Sequence, residues 1–230
     1  MSKLILGDGI LGSELQHITG WDYISRKRDG IDFTNIESYV DYLIDYDEII
    51  NCIGYTNTYD VNKRNSWSIN YKSVVELVDY LVDKDIKLVH FSTDYVYTNS
   101  EPLTSENDVP IHGNNWYSYT KLLADAYIEL KLDDYLIIRG THKQKPFKYD
   151  DAYVNLIGNF DYIDNMAKIY NDLIESDSTG IYNVGTELKS MFCLAKLSKS
   201  DVIPINERDN RSMPKDVSMD LTKLGEFYEK

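Results

Sequence analysis

An apolar run, KLVHFST (87–93), ends in the hydroxyl residues Ser92 and Thr93 and is followed at once by Asp94. About twenty residues on, WYSYTKLLADAY (116–127) places Tyr117 and Lys121 four apart at the start of a helical pattern. At that spacing two side chains share one helix face. A hydroxyl, a phenol and an ammonium gathered at one point suit proton donation to a carbonyl under reduction: Thr93 bonds the reacting oxygen, Tyr117 donates the proton, and Lys121 lowers the phenol's pKa from about 10 while anchoring a ribose. Tyr-x-x-x-Lys carries little information by itself in a chain with 20 tyrosines. It starts here at Tyr23, Tyr59, Tyr80, Tyr117 and Tyr127. Only the copy at Tyr117 follows a strand ending in hydroxyl residues and opens a helix.

A second constellation stands at the N-terminus, Lys3-Leu-Ile-Leu-Gly7-Asp-Gly9-Ile10-Leu11-Gly12. In a G-x-G-x-x-G turn after a strand, the first glycine allows the tight turn. The second lets backbone approach a pyrophosphate, and the third lets the helix pack on the strand. The helix N-terminus then offers free N–H groups to an anion. This reads as a nucleotide cradle beside the proton-donating residues, and together they point to a nicotinamide-dependent oxidoreductase. The end of the second strand reads Ser25-Arg26-Lys27-Arg28, where a carboxylate would favour NADH by bonding the ribose hydroxyls. A hydroxyl and clustered cations suit a 2′-phosphate instead, so the expected cofactor is NADPH.

The elements that must position these residues alternate. Strands are expected at 3–7, 21–26, 48–54, 87–93 and 135–140, separated by helical patterns at 12–18, 33–46 (with Thr34 as its cap), 66–83 and 117–131. EIINCIG (48–54) is apolar almost throughout, as in a strand covered on both faces. This order predicts an α/β fold, a Rossmann-type doubly wound parallel sheet with helices on both faces. Right-handed crossovers then align the strand ends, so that Gly7, Gly54 and Thr93 line one crevice. Beyond residue 140 the pattern loosens. A loop is expected at 143–153, a helix at 161–175, a strand at 180–185, a helix near 189–198, a short strand at 201–205 and a terminal helix at 220–228. The division implied is a cofactor-binding domain over 1–140 and a small C-terminal substrate region over 141–230, some of whose elements pack back on the sheet.

The net charge of −14 argues against nucleic acid or an anionic membrane surface as a partner. No apolar run approaches the ~20 residues that span a bilayer, and no signal-like segment opens the chain, so a cytoplasmic protein is expected. Cys52 and Cys193 form neither a metal spacing nor a disulfide framework. His17, His90, His112 and His142 show no ligand pairing, so no metal is expected, and His90 reads as a structural strand residue.

Along nearly its whole length the chain resembles the extended short-chain dehydrogenases/reductases, and among them the dTDP-4-dehydrorhamnose reductase group. HFSTDYVY (90–97) carries the resemblance most closely, with YSYTKLLAD (117–125), IINCIGYTNTYDVNKRN (49–65), SINYKSVVELVDYL (68–81), GIYNVG (180–185) and RSMPKDVSMDLTKL (211–224). The resemblance implies reduction of the 4-keto group of a nucleotide-linked 4-keto-6-deoxyhexose. Thr93, Asp94, Tyr117 and Lys121 take the catalytic positions. Gly7, Gly9, Ile10, Leu11, Gly12, Ser25, Arg26, Lys27, Cys52, Gly54, Tyr55 and Thr56 hold the cofactor with Tyr117 and Lys121. Thr93, Asp94, His142 and Arg211 meet the substrate. A homodimer is left open. Three departures stand out: one residue instead of two between the first two cradle glycines, Arg139-Gly-Thr-His142 in place of an Arg-Thr-Ser-Trp-like segment, and a shorter region after it. The competing readings are a non-catalytic regulatory or scaffold protein of the same fold and another nucleotide-sugar epimerase or reductase. A dehydratase is disfavoured, because Tyr95 stands where its glutamate would follow the Thr-Asp pair.

Overall fold

The computed structural model describes residues 1–206 and 214–229. Among these, the central sheet is built from β1 (Lys3–Leu6), β2 (Asp22–Ile24), β3 (Glu48–Asn51), β4 (Lys87–Phe91), β5 (Tyr135–Arg139) and a later strand, Gly180–Asn183. Four short strands intervene in sequence: β6 (His142–Lys143), β7 (Asp151–Tyr153), β8 (Ile157–Gly158) and β9 (Asp161–Tyr162). The later sheet strand is therefore β10, followed by β11 (Lys189–Ser190) and β12 (Ile203–Ile205). The sheet order is β10-β5-β4-β3-β1-β2, and every pairing in it is parallel.

The strand sequences explain the layering. Alternate residues of a strand face opposite sides. Leu4, Leu6, Ile49, Leu88 and Ile137 pack on one face with Leu43 of α3 (Val40–Leu43), with Val74, Leu77, Val78 and Leu81 of α5 (Ser73–Leu81), and with Ala124 and Ile128 of α6 (Trp116–Lys131). Ile5, Ile50, Val89, Leu136 and Ile138 pack on the other with Leu11 and Leu15 of α1 (Ile10–Thr19) and with Met166, Tyr170 and Leu173 of α7 (Ile163–Glu175). Both faces are covered, so the strands are apolar at nearly every position. From β1 the chain passes to β2 on one side and returns to β3 on the other. That reversal opens a crevice at the C-terminal ends of β1 and β3, the usual ligand position in doubly wound sheets. Beyond β5, Phe147, Ala152, Leu156, Phe160, Tyr162, Met191 and Leu194 form a smaller core of their own. The pairs β7–β12, β8–β11 and β6–β9 frame that core.

The structure departs from the sequence pattern in three places. The helix expected over 33–46 is broken into a 3-10 turn (Ile36–Ser38) and the single turn of α3. The Asp32 carboxylate accepts from the Thr34 backbone and hydroxyl at 3.0 and 2.7 Å, and Asn35 caps the 3-10 turn. Such local side-chain bonds compete with helix formation. The helix expected over 66–83 begins as a π-helical segment, Ser66–Lys72, between the short α4 (Lys63–Asn65) and α5. The loop expected over 143–153 contains β7, because Asp151–Tyr153 finds a parallel partner in β12.

Candidate functional site

The glycines of the cradle differ in what surrounds them. Gly7 has φ +99°, in the left-handed region, and a Cβ there would lie 2.6 Å from Ile53 Cδ1. A Cβ on Gly12 would lie 2.1 Å from the Gly7 carbonyl oxygen, so this close contact of α1 with the turn requires glycine. A Cβ on Gly9 meets nothing within 4 Å, so the space beside it is open at the α1 N-terminus. The first turn of α1 carries no acidic residue that would repel an anion.

Gly9, Ile10, Leu11, Cys52, Gly54, Thr56, Phe91, Ser92, Thr93, Tyr117, Lys121 and His142 line one cleft of about 790 Å³. Residues from the ends of β1, β3, β4 and β5 thus converge where the topology predicts. Cys52 is half-buried there, its thiol pushed up by burial. Asn70, in the π-helical segment, fixes the cleft's edge: its Oδ1 accepts from the Tyr55 N–H at 2.7 Å and its Nδ2 donates to the Tyr55 carbonyl at 2.9 Å. Gly54 and Thr56 are held at the cleft, whereas the Tyr55 phenol turns to Asp60 at 2.7 Å.

The end of β2 differs from the expected phosphate pocket. Ser25 is fully buried, and its hydroxyl caps α2 (Arg26–Asp29), accepting from the Arg28 N–H at 3.0 Å. One helical turn brings the Asp29 carboxylate back onto the Ser25 N–H at 2.8 Å. Arg28 folds back onto Asp29 and the Tyr23 carbonyl. Arg26 and Lys27 remain exposed. Sequence order had suggested a basic strand end without a carboxylate; the turn supplies one.

Thr93 caps a 3-10 turn (Asp94–Tyr97), its hydroxyl accepting from the Tyr95 N–H at 3.2 Å. Asn115 caps α6 by accepting from the Ser118 N–H at 2.8 Å, which sets Tyr117 in the first turn. The Tyr117 phenol meets the Thr93 hydroxyl, and its ring stands edge-on to Tyr95 at 5.9 Å. Burial pushes the phenol up to about 12, against the hydrogen bond to Thr93, which lowers it. This corrects the expectation that Lys121 lowers it. Lys121 instead turns to β4, where its amine lies 2.9 Å from His90 Nε2 and donates to the Phe91 carbonyl at 2.6 Å. Burial brings Lys121 down to about 8, opposed by Asp125 and then Cys52.

Asp94 lies beneath the cleft, not among its lining residues. It is buried, with Oδ1 accepting from Thr141 at 2.5 Å and Thr93 at 3.2 Å. Burial raises its pKa. His142 does line the cleft and packs edge-on against Tyr170; burial, then Lys143, holds its imidazole down to about 4. Arg211 lies outside the described residues. Reading the sequence alone missed Lys143, a half-buried lysine that lines the cleft and interacts with Asp94. It also missed four further tyrosines that line the cleft, Tyr59, Tyr95, Tyr149 and Tyr153. Lys143 carried no spacing signal, since it sits one residue past the Arg139–His142 segment, where the chain departs from the family pattern. A further buried network joins the site to the sheet. Arg139 Nε donates to Asp125 at 3.0 Å, the Ser92 hydroxyl donates to the same carboxylate at 2.8 Å, and Arg139 Nη1 donates to the Tyr97 hydroxyl at 2.7 Å. Among the described residues no group of three or more His, Cys, Asp or Glu is placed to hold a metal, and no helix is long and apolar enough to cross a membrane.

Comparison with known proteins gives consistent results. The family model described as RmlD substrate binding domain matches residues 1–142. A crystal structure of a hypothetical dTDP-4-dehydrorhamnose reductase from Sulfolobus tokodaii is 26% identical, with TM-score 0.83 over 98% of this chain and 94% of that one. The dTDP-4-dehydrorhamnose reductase of Bacillus anthracis in complex with NADP is similar in fold, at 23% identity and TM-score 0.81 over 98% and 91% of the two chains. The UDP-glucuronic acid 4-epimerase of Bacillus cereus in complex with NAD shares the fold at 16% identity, with TM-score 0.75 over 100% and 90%. A search of curated proteins found no match. With the family model matching residues 1–142, from β1 through β5, the chain belongs to the RmlD substrate binding domain family, within the extended short-chain dehydrogenases/reductases.

Proposed function

We propose that the protein reduces the 4-keto group of a nucleotide-linked 4-keto-6-deoxyhexose, using NADPH. The observation that carries this reading is the Tyr117 phenol against the Thr93 hydroxyl in a cleft that continues into the glycine cradle. The open space at Gly9 and the free N–H groups of α1 fit a pyrophosphate. Gly54, Thr56 and the half-buried Cys52 would border the rest of the cofactor. When bound, the nicotinamide supplies hydride to the sugar carbonyl carbon. Thr93 orients the carbonyl oxygen, and Tyr117 gives it a proton, so that ketone becomes alcohol. A phenol raised by burial stays protonated through the neutral range, as a donor must. Lys121 lies one helical turn along the same face to hold the ribose. Lys143 places a positive charge in the cleft, suited to an anionic substrate portion. On this reading residues 1–140 form the cofactor unit and 141–230 the substrate region, with α7 and β10 of that region built into the sheet.

The choice of NADPH rests on Arg26 and Lys27, which are exposed at the end of β2. The Asp29 carboxylate at Ser25 favours the second reading, NADH, since a carboxylate there bonds ribose hydroxyls and repels a 2′-phosphate. Calorimetric titration of both cofactors decides between them. The activity is tested by following NADPH absorbance with dTDP- and UDP-linked 4-keto-6-deoxyglucose made in place by a dehydratase. Consumption with either sugar supports the proposal. Cofactor binding without consumption of either would favour the regulatory reading of the fold.

A further inference from the structure

Lys143 stands on β6, one residue past the segment at which the chain departs from the family pattern. β6 pairs with β9, which sets Lys143 opposite Tyr162, and the Tyr162 hydroxyl donates to the Leu194 carbonyl at 2.9 Å. The backbone under Lys143 is thereby tied to the small core of the lobe, while its side chain lines the cleft. Among the described residues of that lining the cations are Lys121 and Lys143. Lys121 is committed to β4, through His90 and the Phe91 carbonyl. The Lys143 amine makes no hydrogen bond and no ion pair with a described residue. Asp94 attracts it from beneath the cleft, but the two charges do not close into a pair. Asp94 Oδ1 instead accepts from Thr141 and Thr93, and Oδ2 is buried without a partner. Asp151, the acidic residue of the lining, is engaged in an interaction of its own. The lining beyond Lys143 includes Phe147, Ala152, Leu156 and Met191, whose side chains offer no oxygen to the amine.

We propose that Lys143 is a specificity-determining residue that pairs with an anionic oxygen of the sugar substrate. This rests on the reading of the cleft as a nucleotide-sugar site. Two groups can carry such an oxygen. One is the diphosphate on C1 of the sugar, across the ring from the reacting C4; the other is a carboxylate borne by the hexose itself. Either gives the ammonium the acceptor that the protein withholds. A pair in a half-buried wall is screened less than one in open water, so its loss is felt. Burial lowers the proton affinity of the amine, Asp94 opposes this, and Lys148 adds to it. A bound anion acts in the same sense as Asp94 and favours the charged form. The pair would also tie the sugar to the lobe, on a wall separate from the groups that meet the carbonyl, and it leaves neutral free sugars without this contact.

The test is calorimetric titration of the whole protein, with saturating nicotinamide cofactor, using UDP-glucose and UDP-glucuronate as probes. The two differ at C6, where the second carries a carboxylate. Lys143→Met is expected to weaken binding by roughly 10–100-fold, the usual contribution of one hydrogen bond to a charged group. An equal loss for both probes assigns the diphosphate as the partner. A loss larger for UDP-glucuronate assigns the carboxylate. Lys143→Arg keeps the charge and should retain most of the affinity. Wild-type binding should weaken as salt is added, and Lys143→Met should respond less steeply. Lys143→Gln replaces the Met variant if thermal melts show that the latter is unfolded. Equal affinity with and without the ammonium would overturn the proposal. So would a loss as large in Lys143→Arg as in Lys143→Met, which would mark a packing role, or a wild type that binds neither probe. Affinity is read without turnover. A protein inactive as a reductase would still show the Lys143-dependent binding, and an active reductase whose affinity ignores Lys143 would refute this pairing alone.

Discussion

Tyr117 and Lys121 stand on one helix face, yet the structure gives them different neighbours. The phenol meets Thr93 at the cleft, and the amine meets His90 and the Phe91 carbonyl. Removing the phenol oxygen alone should therefore separate chemistry from binding. Tyr117→Phe is expected to lower kcat by about 10²–10⁴-fold, the usual worth of a positioned general acid. The ring still packs against Tyr95, so cofactor affinity by calorimetry should be nearly unchanged. Lys121 makes a second prediction, about stability. Its proton affinity is about 8 in the folded protein against the ordinary 10.5. Between those values the unfolded chain binds more protons than the folded one, so stability rises with pH through the window. Lys121→Met lacks this titration. Denaturant melts from pH 8 to 10.5 should show the wild type gaining on Lys121→Met by an amount of the order of 3 kcal/mol. A constant difference across that range would mean that the buried amine keeps an ordinary proton affinity.

The first β/α turn illustrates what an element requires of single residues. Gly12 is where α1 meets the turn, and a methyl there would press into the Gly7 carbonyl. Gly9 faces open space. Gly12→Ala is expected to destabilise the fold by about 1–3 kcal/mol, since α1 must move off the turn. Gly9→Ala should melt like the wild type, within about 0.5 kcal/mol, but weaken cofactor binding, since the methyl projects where a pyrophosphate would lie. Thermal melts paired with calorimetric titration check both. If the two variants behaved alike, the cradle would have no such division of labour. The π-helical segment at Ser66–Lys72 plays the corresponding part on the next edge, for it presents Asn70 to both backbone groups of Tyr55. An irregular turn of this kind inside a helix is common at functional sites.

At the scale of the molecule, two apolar cores sandwich the sheet and a third supports the lobe after β5. The cleft lies where they meet. One buried polar network crosses this junction, running from Ser92 through Asp125 and Arg139 to Tyr97. It links β4, α6, β5 and the turn after Thr93. Asp125→Ala leaves Arg139 buried without its carboxylate, and breaking a buried pair from one side costs about 3–5 kcal/mol. The expected outcome is a large loss in chemical-denaturation midpoint. Because Asp125 is the leading group that raises the proton affinity of Lys121, the Lys121 titration should also fall below about 8 in any folded fraction. Unchanged stability would show that the network is relaxed or solvated in solution.

The division between what was legible and what was not follows from range. The five strands through β5, the glycine turn and the Tyr117–Lys121 spacing on α6 could be read in the sequence, because each depends on periodicity or spacing within one element. The parallel sheet followed from the alternation of strand and helix, since that order admits few other packings. Contacts between distant segments decided the rest. Asp29 returns to Ser25 through one helical turn that the basic run concealed. The 33–46 helix breaks because Asp32 and Asn35 bond locally, and the 143–153 segment gains a strand because β12 arrives some fifty residues later. Asp94 carries a familiar motif, yet only packing shows it beneath the cleft with Thr141 on its carboxylate. His90 reads as an ordinary buried strand residue until Asn51 and Lys121 are set on either side of it. The sequence by itself determined which groups are present and which face of each element they occupy, because both are local properties. Tertiary structure decided which groups touch, and so which protons they hold, because burial and partner identity are set only when distant segments close together.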